Sequence, residues 1–288
     1  MIEGIKTSSR GFGLGGLVGE EYIEIDLGKT TYENISDYYQ KIKKLKSKIK
    51  RLEEEIEKTQ SKIKDTQKEE KLSLPKVKKK WYHSFRWMFT PNDRLIVGGR
   101  NAGQNDRLFS DRMKDNDLFF HADIPGGSVV ILKDGVHATE DELMLAARFA
   151  GCYSRAWKQG LHTIDVYAVR KEQLSKHSMK GYIGRGAFAI EGERRWFKGL
   201  PLRIYLCVYP NSPERLIALP EVNKRIIEYY SLERFPYVLE LTPGEKRVEE
   251  VEREFAKEIK KRFKIKVGDV LRYLPGDSSY RWIDLRKR

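Results

Sequence analysis

Cysteine is scarce in this 288-residue chain: only Cys152 and Cys207 occur, with neither CxxC nor Cys/His ligand spacing. That excludes a disulfide-stapled framework and a zinc ribbon or finger, and it suits two buried, inert thiols in a reducing compartment. No run of eighteen apolar residues occurs, and Met1–Arg10 has no apolar core of the signal-peptide kind, so no membrane span or secretory leader is expected. These features together predict a cytoplasmic protein with no membrane partner. Acidic residues are outnumbered, 42 Asp and Glu against 56 Lys and Arg, for a formal charge of +14. A Lys/Glu-rich, thermophile-like composition accounts for 34% charged residues but less well for the surplus of base. A polyanion is therefore the expected partner, with nucleic acid the first to consider.

Three regions follow from texture. Residues 1–30 are glycine-rich and read as a flexible lead with one short strand, Tyr22–Leu27. Residues 31–74 read as a coiled-coil helix. Thr30 and Glu33 stand at capping-box spacing, and Ile35, Ile42, Ile49, Ile56 and Ile63 recur every seven residues with Tyr38, Leu45 and Leu52 between them. Lys, Arg, Glu and Gln dominate the other positions, so the apolar stripe is too narrow to pack on a sheet and needs another helix. No second heptad run of matching length occurs in the sequence, so the expected partner is a second copy or a helix from outside this sequence. Pro75 ends the pattern, and Lys76, Lys78, Lys79 and Lys80 lead into the third region, residues 76–288.

From Trp81 onward, short β-rich runs are separated by Gly, Asn, Asp and Pro: 94–97, 118–122, 128–132, 163–169, 187–191, 202–209 and 216–219. Two stretches read as helices. Glu140–Lys158 is opened by a Thr139/Glu142 capping box and carries a small-residue face of Ala146, Ala147, Ala150 and Gly151. Glu245–Phe263 runs from acidic to basic, with Val248, Val251, Phe255, Ile259 and Phe263 on its apolar side. Strands and helices do not alternate strictly. The predicted class is α+β, a mixed or mostly antiparallel sheet packed with helices and preceded by a long coiled-coil helix.

Three constellations invite chemistry. Leu95–Asp106 runs from a strand through Gly98 and Gly99 towards a helix, and its backbone amides suit a phosphate. It matches neither the P-loop nor the dinucleotide pattern, and an ordinary glycine turn reads as well. In Phe119–Asp123, alternation places His121 and Asp123 on one face with Phe119 while Phe120 and Ala122 face the other way. Two ligands are too few for a metal site, so neither a metal nor another cofactor is expected, and a satisfied structural pair is favoured over acid–base catalysis. Tyr182–Phe188 and Gly192–Lys198 look like a β-hairpin carrying Arg185, Arg194, Arg195 and Lys198 among aromatics. Cations interleaved with aromatics suit single-stranded RNA, although an amphipathic hairpin with a Trp and Phe core fits equally.

Trp81–Trp87, Gly98–Asp106, His121–Asp123 and Gly186–Trp196, in that order, resemble the NFACT-R domain of the RqcH/NEMF family of ribosome-associated quality-control factors, also known as fibronectin-binding-protein-like. The resemblance is strong over about residues 76–200 and looser beyond. Leu27–Lys50, with Asn34 and Tyr38-Tyr39, is similar to the second coiled-coil helix that precedes NFACT-R in that family. The resemblance implies contact with tRNA and the large ribosomal subunit. It also implies that C-terminal tailing needs the family's N-terminal NFACT domain, so no enzymatic activity is expected of this chain alone. Arg100, Gln104, Asn105, His121, Asp123, Gly126, Lys133, Gly186, Arg194 and Arg195 fall on matching motif positions. Asn101, Pro125 and Glu191 depart from the family's usual Asp, His and Arg, and Pro125 weakens any acid–base or metal role.

The expected function is an RNA-binding module of a ribosome rescue factor. Its predicted RNA-facing residues are Lys78, Lys79, Lys80, Arg100, Gln104, Asn105, Arg107, His121, Asp123, Lys133, Arg185, Arg194, Arg195 and Lys198. The rivals are an RNA-processing or RNA-modifying enzyme built on His121 and Asp123, and a coiled-coil dimer that docks on an acidic protein.

Overall fold

A computed structural model describes residues 5–8, 11–18, 21–72, 77–178 and 181–287, with side chains described for 25–60, 77–176 and 183–287. The chain divides into two compact units, Met1–Leu72 and Ser73–Arg288.

In the first unit, β1 (Ile5–Ser8), β2 (Gly11–Val18) and β3 (Glu21–Asp26) form an antiparallel meander. Within the glycine-rich lead, the described residues 5–8, 11–18 and 21–26 are thus paired backbone, three strands where the sequence suggested one. Its glycines do not prevent pairing because the register runs without a shift from Gly13↔Asp26 to Val18↔Glu21, and every ladder position still offers an N–H and a C=O. α1 (Thr31–Leu72) is a single 42-residue helix, about 63 Å long at 1.5 Å per residue. The backbone N–H of Thr30 donates to Glu33 at 2.7 Å and that of Glu33 to the Thr30 hydroxyl at 3.3 Å, completing the predicted capping box. Asn34 fastens sheet to helix: its side chain accepts from the Asp26 N–H at 2.8 Å and donates to the Asp26 carbonyl at 2.9 Å. Ile35, Ile42, Leu45, Ile49, Leu52 and Ile56 are exposed along α1. Ile63 lies on the helix, with its side chain outside the described residues.

The second unit holds two antiparallel sheets. In chain order its elements are β4 (Arg86–Phe89), β5 (Leu95–Gly98), α2 (Ala102–Arg107), β6 (Leu118–Ala122), β7 (Val130–Leu132), α3 (Glu140–Cys152), α4 (Arg155–Lys158), β8 (Thr163–Arg170), β9 (Leu174–Ser175), β10 (His177–Ser178), β11 (Gly181–Tyr182), β12 (Ala189–Ile190), β13 (Arg195–Pro201), β14 (Ile204–Val208), β15 (Leu216–Leu219), α5 (Lys224–Tyr229), β16 (Tyr237–Lys246), α6 (Val248–Phe263) and β17 (Ser278–Asp284). The larger sheet has the order β13-β8-β6-β7-β5-β4 and the smaller β15-β14-β16-β17, with β9/β12 and β10/β11 as two-stranded ladders. Every strand pairing in the unit is antiparallel, which settles the α+β class in favour of its antiparallel form.

α3 packs across β6, β7, β8 and β13. Its small face permits the close approach: Ala146, Ala147 and Ala150 are fully buried, and a Cβ on Gly151 would lie 2.9 Å from Ile164. Phe120 and Phe197, on neighbouring rows of the sheet, lie 5.9 Å apart. On the smaller sheet α6 contacts β16 and β17, and Phe255 stacks on Trp282 with 5.7 Å between ring centroids. Both cysteines are free and buried, and burial pushes the thiols of Cys152 and Cys207 upward, so neither is a thiolate at neutral pH.

Three expectations need correction. The single helix 140–158 is two, because Ser154 takes extended backbone and its hydroxyl accepts from the Ala156 N–H, starting α4 in a new direction. The helix expected from Glu245 begins at Val248, because Tyr237–Lys246 is a strand that pairs with β17 through a register shift at Pro243. The hairpin expected over 182–198 does not form: β12 pairs with β9 and β13 with β8.

Candidate nucleic-acid interface

The register of the larger sheet lines up an aromatic row. His121 stands opposite Tyr167, and Tyr167 opposite Trp196. Their rings follow one another at 5.9 and 5.5 Å, and Phe119 stacks on His121 at 6.3 Å. As alternation predicts, this face is opposite to that of Phe120 and Ala122. Arg194 lays its guanidinium over the Tyr167 ring at 4.7 Å. Trp196 is 41% exposed whereas Tyr167 is 8% exposed, so the row runs from an accessible indole to a shielded phenol.

Beside this row opens a cleft of about 1370 Å³. The larger sheet contributes Arg86, Phe119, His121 and Tyr167, the loops contribute Gly99, Arg100, Gly126, Gly127 and Arg185, and the C-terminal region contributes Gly244, Glu245 and Asp277. Arg155, Lys158 and His162 also line it. Among the described residues, Arg86, Arg100, Arg155, Lys158 and Arg185 form no ion pair, whereas Arg94, Lys133, Arg148, Lys171, Lys176 and Arg195 each do.

The motif segments hold one another in place. Asn105 accepts from the Val129 N–H at 3.2 Å, tying α2 to the 126–129 loop. Asp106 accepts from the Gly186 N–H at 3.0 Å and from Lys176 Nζ, tying α2 to the loop that carries Arg185. Burial pushes the Asp106 carboxyl upward, but the Lys176 ammonium and the Gly186 N–H overcome this and hold it below its ordinary value. Gly186 has φ +78°, and a Cβ there would meet Ala102 at 2.7 Å, so only glycine fits this crossing.

Gly99 is equally constrained. A Cβ there would overlap the Asn105 side-chain amide and stand 3.0 Å from its backbone nitrogen. Gly99→Ala should therefore push α2 off the 126–129 loop and cost about 1–3 kcal/mol. Urea unfolding measures this, and an unchanged midpoint would contradict it.

The predicted RNA-facing residues separate into groups. Arg100, Asn105, His121 and Arg185 line the cleft. Arg194 sits over the aromatic row, and Lys198 is exposed where the β13–β8 register shifts between Phe197 and Leu200. Arg195 turns to the other side, where it pairs with Glu140 at the start of α3 at 2.6 Å. Gln104 accepts from the Arg100 N–H at 3.0 Å and donates to the Ser84 carbonyl at 3.2 Å. Lys133 is paired with Asp117 and donates to the Arg112 carbonyl at 2.6 Å. Lys78, Lys79, Lys80, Arg107 and Asp123 are exposed away from the cleft lining.

His121 uses Nδ1 on the Ala122 carbonyl at 2.6 Å. Burial lowers its pKa against the opposing influence of its Ala122 and Gly127 backbone contacts, so the ring is neutral at pH 7. No hydrogen bond joins it to Asp123 among the described residues, and no group of three or more His, Cys, Asp and Glu suited to a metal occurs among them. Sequence reasoning missed Arg86, Arg155, Lys158 and His162. Ser154 was the available signal for two of them, since an N-cap residue inside a helical run announces a second helix.

Residues 84–192 match the family described as the NFACT protein RNA binding domain. The archaeal Rqc2 homolog aRqcH of Methanocaldococcus jannaschii is 39% identical over 272 residues, covering 89% of this chain and 39% of that protein. The human ribosome quality control complex subunit NEMF is 30% identical over 128 residues, covering 43% of this chain and 12% of that protein. The solved C-terminal part of the fibronectin/fibrinogen-binding protein from Streptococcus suis is 26% identical, with a TM-score of 0.36, covering 60% of this chain and 77% of that one. The chain thus spans well under half the length of these curated relatives. No helix among the described residues is long and apolar enough to cross a membrane. The chain carries an NFACT-R domain behind a long N-terminal helix, and in this it is a relative of the Rqc2, RqcH and NEMF ribosome quality control proteins.

Proposed function

We propose that this chain is the RNA-binding module of a ribosome-associated quality-control factor, and that it holds tRNA or ribosomal RNA in the cleft of its NFACT-R domain. The observation that supports this reading is the pairing of unneutralised cations with a stacking surface. Arg86, Arg100, Arg155, Lys158 and Arg185 line the cleft without ion pairs among the described residues, next to the row His121–Tyr167–Trp196. Phosphates need the first and unstacked bases the second. The exposed Ile and Leu stripe of α1 supports a further role for the first unit in pairing with another helix, from a second copy or from elsewhere in a longer protein.

The test is a binding isotherm with labelled structured RNA over a range of salt. Affinity should fall as salt rises, with a log–log slope of roughly 0.7 per phosphate contacted on a single strand or 0.9 on a duplex, and the RNA should be recovered intact. A flat salt response, or no binding at low salt, would remove the proposal. RNA cleaved or altered in a manner that needs His121 and Asp123 would favour the enzymatic alternative.

A further inference from the structure

Arg86 shares with Arg148 a buried Nε without a partner, but Arg148 is paired with Glu221 whereas Arg86 has no carboxylate among the described residues. It opens β4, and among the described residues its guanidinium makes one hydrogen bond, Nη1 to the Gly99 carbonyl at 3.2 Å. That carbonyl is shared, since Ser128 Oγ donates to it as well. Arg86 Nε is fully buried and has no partner. No carboxylate approaches within ion-pair distance among the described residues. The guanidinium lies over the Tyr153 ring at 4.2 Å, which supplies some attraction but accepts none of its remaining N–H groups. Burial lowers the Arg86 pKa, and the Arg100 cation lowers it further against the opposing influence of Tyr153. Arg86 is thus a half-buried charge whose Nε is shut off from water while the rest of its fork reaches the cleft, and a shielded N–H of a cation without an acceptor is costly. Here it stands beside a second unpaired arginine on the wall of an open cleft.

The surrounding backbone keeps that corner open. β5 ends at Gly98, and Gly99 donates to the Val129 carbonyl at 2.9 Å. Ser128 donates its N–H to the Tyr153 carbonyl at 3.2 Å, so the start of β4, the end of β5, the 126–128 loop and the turn at 153–155 converge. Gly126 has φ +84°, and a Cβ on it would come within 3.0 Å of the Arg155 guanidinium. Three guanidinium groups, those of Arg86, Arg100 and Arg155, therefore face one cleft from three chain segments, and the acidic residues of the lining, Glu245 and Asp277, come from the C-terminal wall.

We propose that Arg86, with Arg100 and Arg155, forms a phosphate-binding subsite in this cleft, and that its anion is a phosphate group of a nucleic-acid strand whose neighbouring base lies towards Phe119, His121 and Tyr167. A phosphate offers the several acceptor oxygens that this half-buried guanidinium fork lacks, and bidentate arginine contacts are the strong form of this recognition. Two sources carry the same group, an internal phosphodiester and a strand-terminal phosphomonoester. The subsite rests on the RNA-binding reading for its ligand and on the Arg86 geometry for its location.

The test uses the full chain, wild type and Arg86→Met, which removes the charge while keeping an unbranched side chain. Thermal unfolding is followed with and without inorganic phosphate at constant ionic strength. Wild type should gain melting temperature from phosphate. Arg86→Met should lose that gain while being at least as stable as wild type in phosphate-free buffer, because a half-buried unpaired charge and its unpartnered Nε have gone. Affinity for labelled RNA should fall about tenfold or more. Equal destabilisation of Arg86→Met in both buffers, with the phosphate response retained, would overturn the subsite and leave Arg86 as a stacking partner of Tyr153. Should Arg86→Met fail to fold, Arg86→Lys keeps the charge without the fork, and a phosphate response equal to wild type would overturn the subsite in the same way.

The two readings can fail separately. An Arg86→Met protein that binds RNA as wild type does, with the same salt slope, sinks the subsite alone. An Arg86-dependent phosphate response in a protein that binds no RNA sinks the RNA reading alone. Oligonucleotides with a 5′-phosphate or a 5′-hydroxyl then separate the sources. A tenfold preference for the phosphorylated end that disappears in Arg86→Met assigns the terminal group, and equal, Arg86-dependent binding assigns an internal phosphodiester.

Discussion

Glu142→Gln should destabilise the NFACT-R-bearing unit by about 3–5 kcal/mol, the range expected when one partner of a buried pair is removed. Glu142 is 1% exposed at the third position of α3, and its carboxylate is saturated. It accepts from the Thr90 hydroxyl at 2.6 Å, from the Thr139 backbone N–H at 2.9 Å, from the Thr139 hydroxyl at 3.1 Å and from Arg94 Nη1 at 3.0 Å. One carboxylate thus caps α3 and clamps it to the β4–β5 turn. A neutral amide presents one acceptor where the carboxylate presented two, and its NH₂ would face the donors of Thr139 and Arg94.

The same group makes a pH prediction. Burial would raise the Glu142 pKa, but the hydrogen bonds from Thr90, the Thr139 backbone, Asn92 and Arg94 overcome it and lower it to about 2 from 4.5. The folded state therefore binds fewer protons than the unfolded state between these values. Stability from this site is fully present above about pH 4.5 and is lost as pH falls towards 2, amounting to roughly 3 kcal/mol at 1.4 kcal/mol per pH unit. Urea unfolding at neutral pH and near pH 3 should show wild type losing stability on acidification and Glu142→Gln losing clearly less. Equal acid sensitivity in both, or a Gln variant within 1 kcal/mol of wild type, would refute the account.

Elements were legible where local pattern and tertiary role agree. The capping boxes at Thr30/Glu33 and Thr139/Glu142 both form, because a cap is a contact between residues three apart and its signature is wholly local. Leu118–Ala122 and Leu216–Leu219 were legible as strands with their observed ends. Partnership was not legible. Gly192–Lys198 looked like one arm of a hairpin, but its pairing is with β8, nearly thirty residues earlier, and short polar-flanked runs specify a strand without specifying its neighbour. Ser278–Asp284 and Tyr237–Lys246 were not read as strands at all. Their pairing crosses a register shift at Pro243, and the charged pattern of the following helix spreads backward over Glu245 and Lys246.

The site was legible in its motif segments and not in its floor. Arg100, His121 and Arg185 belong to runs with conspicuous glycines or aromatics, whereas Arg86 sits between Phe85 and Trp87 in a sequence that reads as core. Only the fold shows that its Nε is buried without a partner. Arg195 shows the reverse. It follows Arg194 in sequence, but strand alternation sends the two to opposite sides, one to Glu140 and the other over Tyr167. A run of cations on a strand therefore overstates the charge available to one ligand.

Location, not total charge, should govern RNA affinity, and a charge-matched pair of triple variants separates the two. Arg100→Ala, Arg155→Ala and Arg185→Ala together remove three cleft cations that form no ion pair among the described residues. Lys171→Ala, Arg225→Ala and Arg262→Ala remove three that already pair with Asp115, Asp141 and Glu258. Both triples change net charge by the same amount, and exposed ion pairs of the second kind are worth little to stability. The cleft triple should lower affinity by at least on the order of a hundredfold and reduce the log–log salt slope by about 2 to 3, near one unit for each phosphate that is no longer neutralised. The paired triple should leave the slope within about half a unit of wild type, because each of its cations already has a carboxylate as counterion and releases few further ions on binding. If both triples lose affinity and slope equally, the RNA is held by diffuse charge over the whole surface, and the cleft is not its seat.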